Sequence, residues 1–202
     1  NAFKKNVAAI KEKVGDTVIM PVVKANAYGT YLNKDIELMN EFSMVAVAIV
    51  DEAIQLRKLG YKKDIFVLNQ PYIDEINDII SNDIVVGVSS FEFLENLNTY
   101  NEKIRIHIEL ETGMGRTGVL NNLLDEFIVK LKHSNVTVEG IYTHLSSADI
   151  DYEFTNKQIK LFEESVLKLK NEFETIKFVH CAASNGILNF GLGICNMVRP
   201  GL

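Results

Sequence analysis

The chain has 202 residues, 47% of them apolar and 24% charged, with three prolines and a formal net charge of −6 at neutral pH. That balance suits one domain with a substantial core. A negative charge with no basic run argues against nucleic acid or an anionic membrane as partner. No apolar segment approaches the length of a bilayer span and no signal peptide opens the chain, which points to the cytoplasm. Cys181 and Cys195 are too few for a disulfide framework and lack metal-ligand spacing, so they read as buried thiols in a reducing compartment.

Phe3, Val7, Ile10 and Val14 recur at helical spacing, and Gly15 closes that helix. An apolar run over 17–23 predicts a strand that leads into "PVVKANAYG", residues 21–29, placing Lys24 where the strand stops before a turn through Asn26 and Gly29. A strand-end lysine is most often a solvated cap. Further β-rich runs lie near 43–49, 64–68, 84–88, 103–110, 136–142, 176–180 and 194–198. Between them are amphipathic stretches: Asp51 to Leu59, with Asp51 as N-cap; Leu124, Phe127, Ile128 and Leu131; and Ile159, Phe162, Val166 and Leu169. Eight strands alternating with helices, most of them apolar on both faces, predict a parallel sheet covered by helices. Eight repeats favour an α/β fold closed into a (β/α)8 TIM-type barrel, with the final helix missing from the chain. The chain starts without Met and stops at "RPGL", which suggests part of a longer polypeptide.

In such a barrel chemistry sits at the carboxyl ends of the strands. The first strand delivers Lys24 and then Tyr28. The fifth runs into "ETGMGRTG" with Arg116, the sixth into "YTHLSSAD" with His144, the seventh into "VHCAASNG" with His180 and Ser184, and the eighth into "NMVRPGL" with Arg199 and Gly201. Each alone has a bland reading, but all five fall on one rim. Residues 113–118, "GMGRTG", match the dinucleotide pattern G-x-G-x-x-G. They lie in the fifth βα unit rather than the first and open no helix until near Asn121, so that match carries little weight. A lysine desolvated at a strand end frees an amine for Schiff-base chemistry, and the loops after the last two strands often take a phosphate. Lysine, phosphate loop and the Tyr28 hydroxyl together suggest pyridoxal phosphate.

The blocks "VVKANAYG", "TGMGR", "YTH", "HCAAS" and "VRPG", in that order, resemble those of the alanine racemase family over essentially the whole chain. The resemblance implies the N-terminal barrel of a two-domain, homodimeric pyridoxal-phosphate enzyme, with residues 1–202 as one domain and the C-terminal β domain missing. The activity implied is interconversion of L- and D-alanine for peptidoglycan; serine or a diamino acid as substrate, or a non-catalytic cofactor carrier, are the alternatives. Lys24 would carry the cofactor and act as one of two bases. Tyr28, Ser184, Gly201 and the Leu202 backbone would hold its phosphate. His144 would lie against its ring, with Arg199 at the pyridine nitrogen, His180 steadying Arg199, and Arg116 near the substrate carboxylate. An arginine at that nitrogen can only donate, whereas the related barrel decarboxylases place an acid there.

Two departures stand out. The family usually continues "YGHG" where this chain has Gly29, Thr30 and Tyr31. Many members also have a carbamylated lysine seven positions before the arginine of "GMGR", where this chain has Glu109. Arg105, His107, Glu109 and Glu111 alternate with Ile106, Ile108 and Leu110, so period two puts Glu109 on the inward face. The expectation is that Glu109 supplies the missing negative charge and orients Arg116 by a charge-assisted bond. Racemisation also needs a second base on the opposite face of the α-carbon. Of the seven tyrosines Tyr28 is assigned to the phosphate, Tyr142 reads as core, and Tyr31, Tyr61, Tyr72, Tyr100 and Tyr152 sit in no matching motif, so the resemblance places that base outside these residues.

Overall fold

A computed structural model gives the fold and describes residues 2–30 and 36–201. Helix α1 (Ala2–Val14) ends at Gly15, whose φ of 59° is the left-handed helix stop that glycine takes without steric cost. Strands β1 (Val18–Ile19), β2 (Met44–Val47), β3 (Asp64–Val67), β4 (Val85–Val88) and β5 (Ile104–Glu111) follow. A two-residue β6 (Val119–Leu120) sits beside β5, and then come β7 (Val136–Tyr142), β8 (Phe178–His180) and β9 (Met197–Val198). All eight expected strands are present; only β6 was unforeseen. Helices α2 (Lys24–Tyr28), α3 (Ile36–Met39), α4 (Val50–Lys58), α5 (Ile76–Ser81), α6 (Phe91–Leu97), α7 (Leu124–Lys132), α8 (Tyr152–Glu172) and α9 (Ser184–Asn189) lie between them. Helix α4 begins one residue before expectation. Ile49 is its N-cap, and Asp51 joins the first turn, where a carboxylate suits the positive helix end.

Every strand pairing is parallel. One path runs β2-β3-β4-β5-β7-β8, and β1 pairs separately with β9. Single bridges join the two: Val22 to Ala46 and to Gly201, and Ala183 to Arg199. The sheet therefore closes into a (β/α)8 barrel, sealed where the first strand meets the last.

Two apolar cores follow from the period-two alternation of strands. Ile104, Ile106, Ile108 and Leu110 of β5 face outward and pack beneath the helices with Phe93, Phe127 and Phe162. Inside the barrel a smaller cluster joins Met20, Met44, Phe66, Val85, Tyr142 and Met197. His107, Glu109, His180 and Arg199 are buried as well. Two glycines make room for this crowded interior. A Cβ on Gly87 would lie 2.2 Å from the Tyr142 hydroxyl, and one on Gly140 would lie 2.6–2.7 Å from three ring atoms of His107.

The first βα loop departs most from expectation. Instead of an ordinary turn, α2 is left-handed: Ala25, Asn26, Ala27 and Tyr28 have φ of 51°, 53°, 52° and 55°. For residues with a Cβ this costs about 1–2 kcal/mol each, so contacts from the surrounding barrel must hold the turn. Among the described residues no helix is long and apolar enough to cross a membrane.

Replacing Gly140 by alanine pushes a methyl group against the buried His107 ring. The expected loss is about 1–3 kcal/mol of unfolding free energy, read from a urea titration. An unchanged midpoint would show that the His107 ring can move aside.

Candidate active site

A cavity of about 390 Å³ opens at the carboxyl ends of the strands, and Lys24, Tyr28, Arg116, His144, Ser184, Arg199 and Gly201 all line it. Seven rim residues from five loops are thus brought together. Leu202 and Tyr31 lie outside the described residues. Lys24 is exposed to the cavity rather than desolvated by the strand end, so any desolvation must come from what fills the cavity. Among the described residues it has no carboxylate within 4.0 Å.

At one side of the cavity Ser184 Oγ accepts from the Gly201 N–H at 3.1 Å. A Cβ on residue 201 would sit 3.0 Å from the Tyr28 hydroxyl, so glycine keeps open the space between the two loops. Arg199 is 4% exposed. Its Nη2 donates to the carbonyls of Thr143 at 2.6 Å and Cys181 at 3.1 Å, its guanidinium stands 5.5 Å from the Tyr142 ring, and its buried Nε has no partner. His144 is pushed down to about 4, by burial first and then by the charges of Arg199, Arg116 and Lys24. Its ring is therefore neutral at physiological pH.

Two expected supports take another form. His180 does not hydrogen-bond Arg199: its Nε2 lies 2.9 Å from Nδ1 of His107, its Nδ1 has no partner, and its ring stacks on Tyr142. The rotamer that packs flat on Tyr142 turns the imidazole toward the barrel floor, where His107 stands. Glu109 is inward and buried in the middle of the sheet, as the alternation required, but it makes no ion pair with Arg116. Its Oε1 accepts from the Thr117 hydroxyl at 3.0 Å, and its Oε2 has no partner. Arg116 is exposed and feels Glu109 only through charge. Burial pushes the Glu109 carboxyl above its ordinary 4.5, while Thr117, Arg116 and Arg199 pull it back.

Three acceptors escaped the sequence reading. Glu111 binds the N–H groups of Gly113 at 2.5 Å and Gly115 at 2.9 Å, shaping the loop that presents Arg116. Gln158 of α8 is fully buried; it accepts from the Ser146 N–H at 3.0 Å and donates to the His144 carbonyl at 3.3 Å, which fixes the loop of His144. A glutamine within the buried stripe of a helix was the available signal. Glu52 accepts from the Ala25 and Ala48 N–H groups at 2.6 and 2.8 Å. The "GMGRTG" segment opens no helix: Gly118 serves instead a close approach to β5, where a Cβ would lie 2.5 Å from the Glu111 nitrogen.

A parallel barrel with its charged and nucleophilic groups gathered at one carboxyl-end cavity has the build of a barrel enzyme. The sequence model described as "Alanine racemase, N-terminal domain" matches residues 1–202, and the chain belongs to that family. It is 32% identical over 215 residues to an alanine racemase of Staphylococcus carnosus, covering 100% of this chain and 54% of the relative. To an amino-acid racemase of Enterococcus faecalis it is 35% identical over 214 residues, covering 100% of this chain and 30% of the relative. Among solved structures, alanine racemase of Clostridium difficile 630 superposes with a TM-score of 0.90 at 29% identity, covering 98% of this chain and 58% of that one. The Bacillus anthracis enzyme with bound L-Ala-P gives 0.86 at 33% identity, covering 98% and 53%. The chain spans about half the length of the alanine racemases it matches.

Burial holds His107 at about 3, His144 at about 4 and His180 well below its ordinary value, whereas an unfolded histidine titrates near 6.5. Between those limits the unfolded chain binds the extra protons. Stability is therefore complete above pH 6.5 and falls as the pH drops toward the folded values, partly offset by the raised Glu109. Unfolding of the cofactor-free chain at pH 5 should take up roughly two to three protons, measurable from the pH dependence of the urea midpoint. A flat profile from pH 7 to 5 would refute the burial of neutral histidines.

Proposed function

We propose that this chain is the cofactor-binding barrel of a pyridoxal-phosphate-dependent racemase that interconverts L- and D-alanine. The observation that carries the reading is one cavity holding the Lys24 amine, the Arg199 guanidinium and the Tyr28–Ser184–Gly201 cradle. The residues present fit the cofactor. The partnerless Arg199 Nε is a buried donor in need of an acceptor such as a ring nitrogen. The gap kept open beside Gly201, between hydroxyl and amide donors, suits a phosphate.

When bound, pyridoxal phosphate supplies an aldehyde for the Lys24 amine and a ring that draws electrons from the substrate's α-carbon. The chain's residues supply the rest. Tyr28, Ser184 and the backbone of Gly201 and Leu202 hold the phosphate. The neutral His144 imidazole packs against the ring without adding charge. Arg199 can only donate, so it keeps a proton off the ring nitrogen and limits the stabilisation of negative charge at the α-carbon, which favours proton exchange over competing reactions. Arg116 receives the substrate carboxylate, with the Glu109 carboxyl behind it. Lys24 Nζ takes the α-proton from one face in one direction of the reaction and delivers a proton to that face in the other. The opposite face needs its own base, which we assign to the other subunit of a homodimer, from a second domain beyond residues 1–202. The protein then works in the cytoplasm, where free alanine is available for cell-wall synthesis. The Enterococcus faecalis relative's broader name makes serine and diamino acids the substrates to compare.

Lys24→Ala should abolish borohydride fixation of the cofactor while leaving the circular-dichroism spectrum intact; cofactor fixed at the same site in the variant would refute the assignment. The isolated barrel, saturated with pyridoxal phosphate, should invert alanine far more slowly than the full-length protein, assayed by α-deuterium exchange alongside inversion. Equal inversion by both would place the second base inside this sequence.

A further inference from the structure

Ala25, Asn26, Ala27 and Tyr28 hold four consecutive positive φ values, a conformation L residues abandon unless the surroundings enforce it. None of the four is glycine, and Val23 gives α2 no side-chain cap. The enforcement comes from another βα unit. Glu52, in the first turn of α4, accepts from the Ala25 N–H, the amide directly after Lys24, at 2.6 Å. Its second oxygen accepts from the Ala48 N–H at 2.8 Å, in the segment that follows β2. Both are charge-assisted bonds to backbone donors. The second bond fixes the carboxylate to the segment just past β2, and the first fixes the turn to the carboxylate. Farther along, the turn closes on itself: the Ala27 N–H donates to the Val23 carbonyl at 2.9 Å and the Gly29 N–H to that of Ala25 at 3.0 Å.

We infer that Glu52 is the positioning residue of Lys24. It does not line the cavity and acts through the turn, holding the backbone on both sides of its carboxylate so that the amine leaves the strand end toward the cofactor site. Without it, the left-handed turn relaxes toward negative φ and carries Lys24 off its line. The inference rests on Lys24 being the cofactor-bearing amine and adds what aims it.

The test uses the full-length protein and the variant Glu52→Gln, which keeps the shape but leaves only one oxygen to accept. Pyridoxal phosphate followed by borohydride marks Lys24, and mass spectrometry of its peptide gives the rate of marking. Pyridoxine 5′-phosphate, which has no aldehyde, reports the cavity alone by equilibrium binding. The marking rate in Glu52→Gln should fall about tenfold or more, while binding of the alcohol analogue, which has only the Tyr28 contact of this turn to lose and keeps Ser184, Gly201 and Arg199, should weaken by a much smaller factor. Adding Ala25→Gly should restore the rate, because glycine enters positive φ without penalty. If Glu52→Gln does not fold, Glu52→Asp takes its place, since it keeps the charge but lacks the reach to span both amides. Marking at the wild-type rate overturns the inference. So does a parallel loss of marking and analogue binding, or a slow rate that Ala25→Gly leaves uncorrected. If the wild-type protein takes no cofactor on Lys24, the reading of the site itself fails, a result distinct from all of these.

Discussion

A guanidinium that cannot give up its proton is buried at the end of β9, and the chemistry of the barrel mouth is arranged around it. Arg199 has two backbone carbonyls, the face of Tyr142 and no carboxylate in contact. Its charge is accommodated by those carbonyls and that ring face, and the buried histidines near it add no further charge. His107, His144 and His180 all stay neutral under its influence, after burial. The same field draws the Glu109 carboxyl back toward its charged form against a burial that favours the neutral one. A lysine at this position would not serve equally: its compact, strongly hydrated ammonium is harder to bury, and it could lose its proton. The fixed charge comes from residue type alone.

The interior tolerates so many polar groups because they are stacked and spaced. Phe66 lies 4.5 Å from the His107 ring and 5.3 Å from Tyr142, separating them with apolar surface. Gly87 and Gly140 leave the two bulky rings their space on neighbouring strands. The amino end of the barrel is handled differently: there Arg105 binds Asp64 at 2.8 Å and Asp83 at 2.9 Å near solvent, and water shares the load. Charge is thus paired at one end of β5 and left deliberately unpaired at the other, the end that faces the cavity.

Much of this was legible from the residues. The eight strands followed from apolar runs and their spacing, and the alternation in β5 was enough to turn Glu109 inward. The rim residues could be named because a barrel confines chemistry to one end. What the residues did not show were the contacts between loops far apart in the chain. "KANAY" carries no mark of a left-handed turn, since the force that imposes it comes from Glu52, which reads as one more acid on the polar side of an amphipathic helix. His180 was expected to lean on Arg199, yet the space opened by Gly140 lets His107 meet it first. Rotamers in a crowded barrel are decided by neighbours on other strands, and a linear pattern does not hold that information.

The seam of the barrel also matters before the protein is finished. Among the described residues Val18 and Ile19 pair with Met197 and Val198, so the barrel's β1 is completed only when β9 has been made. At synthesis rates of roughly 5–20 residues per second, β1 waits on the order of ten to forty seconds with its outer edge unmatched. During that interval an apolar segment, Val18 to Val23, is exposed to any other nascent strand. Its shortness and Pro21, which lacks an amide donor, make it a poor template for such encounters. The residues that seal the finished barrel therefore also limit its association with other chains while it is still being made.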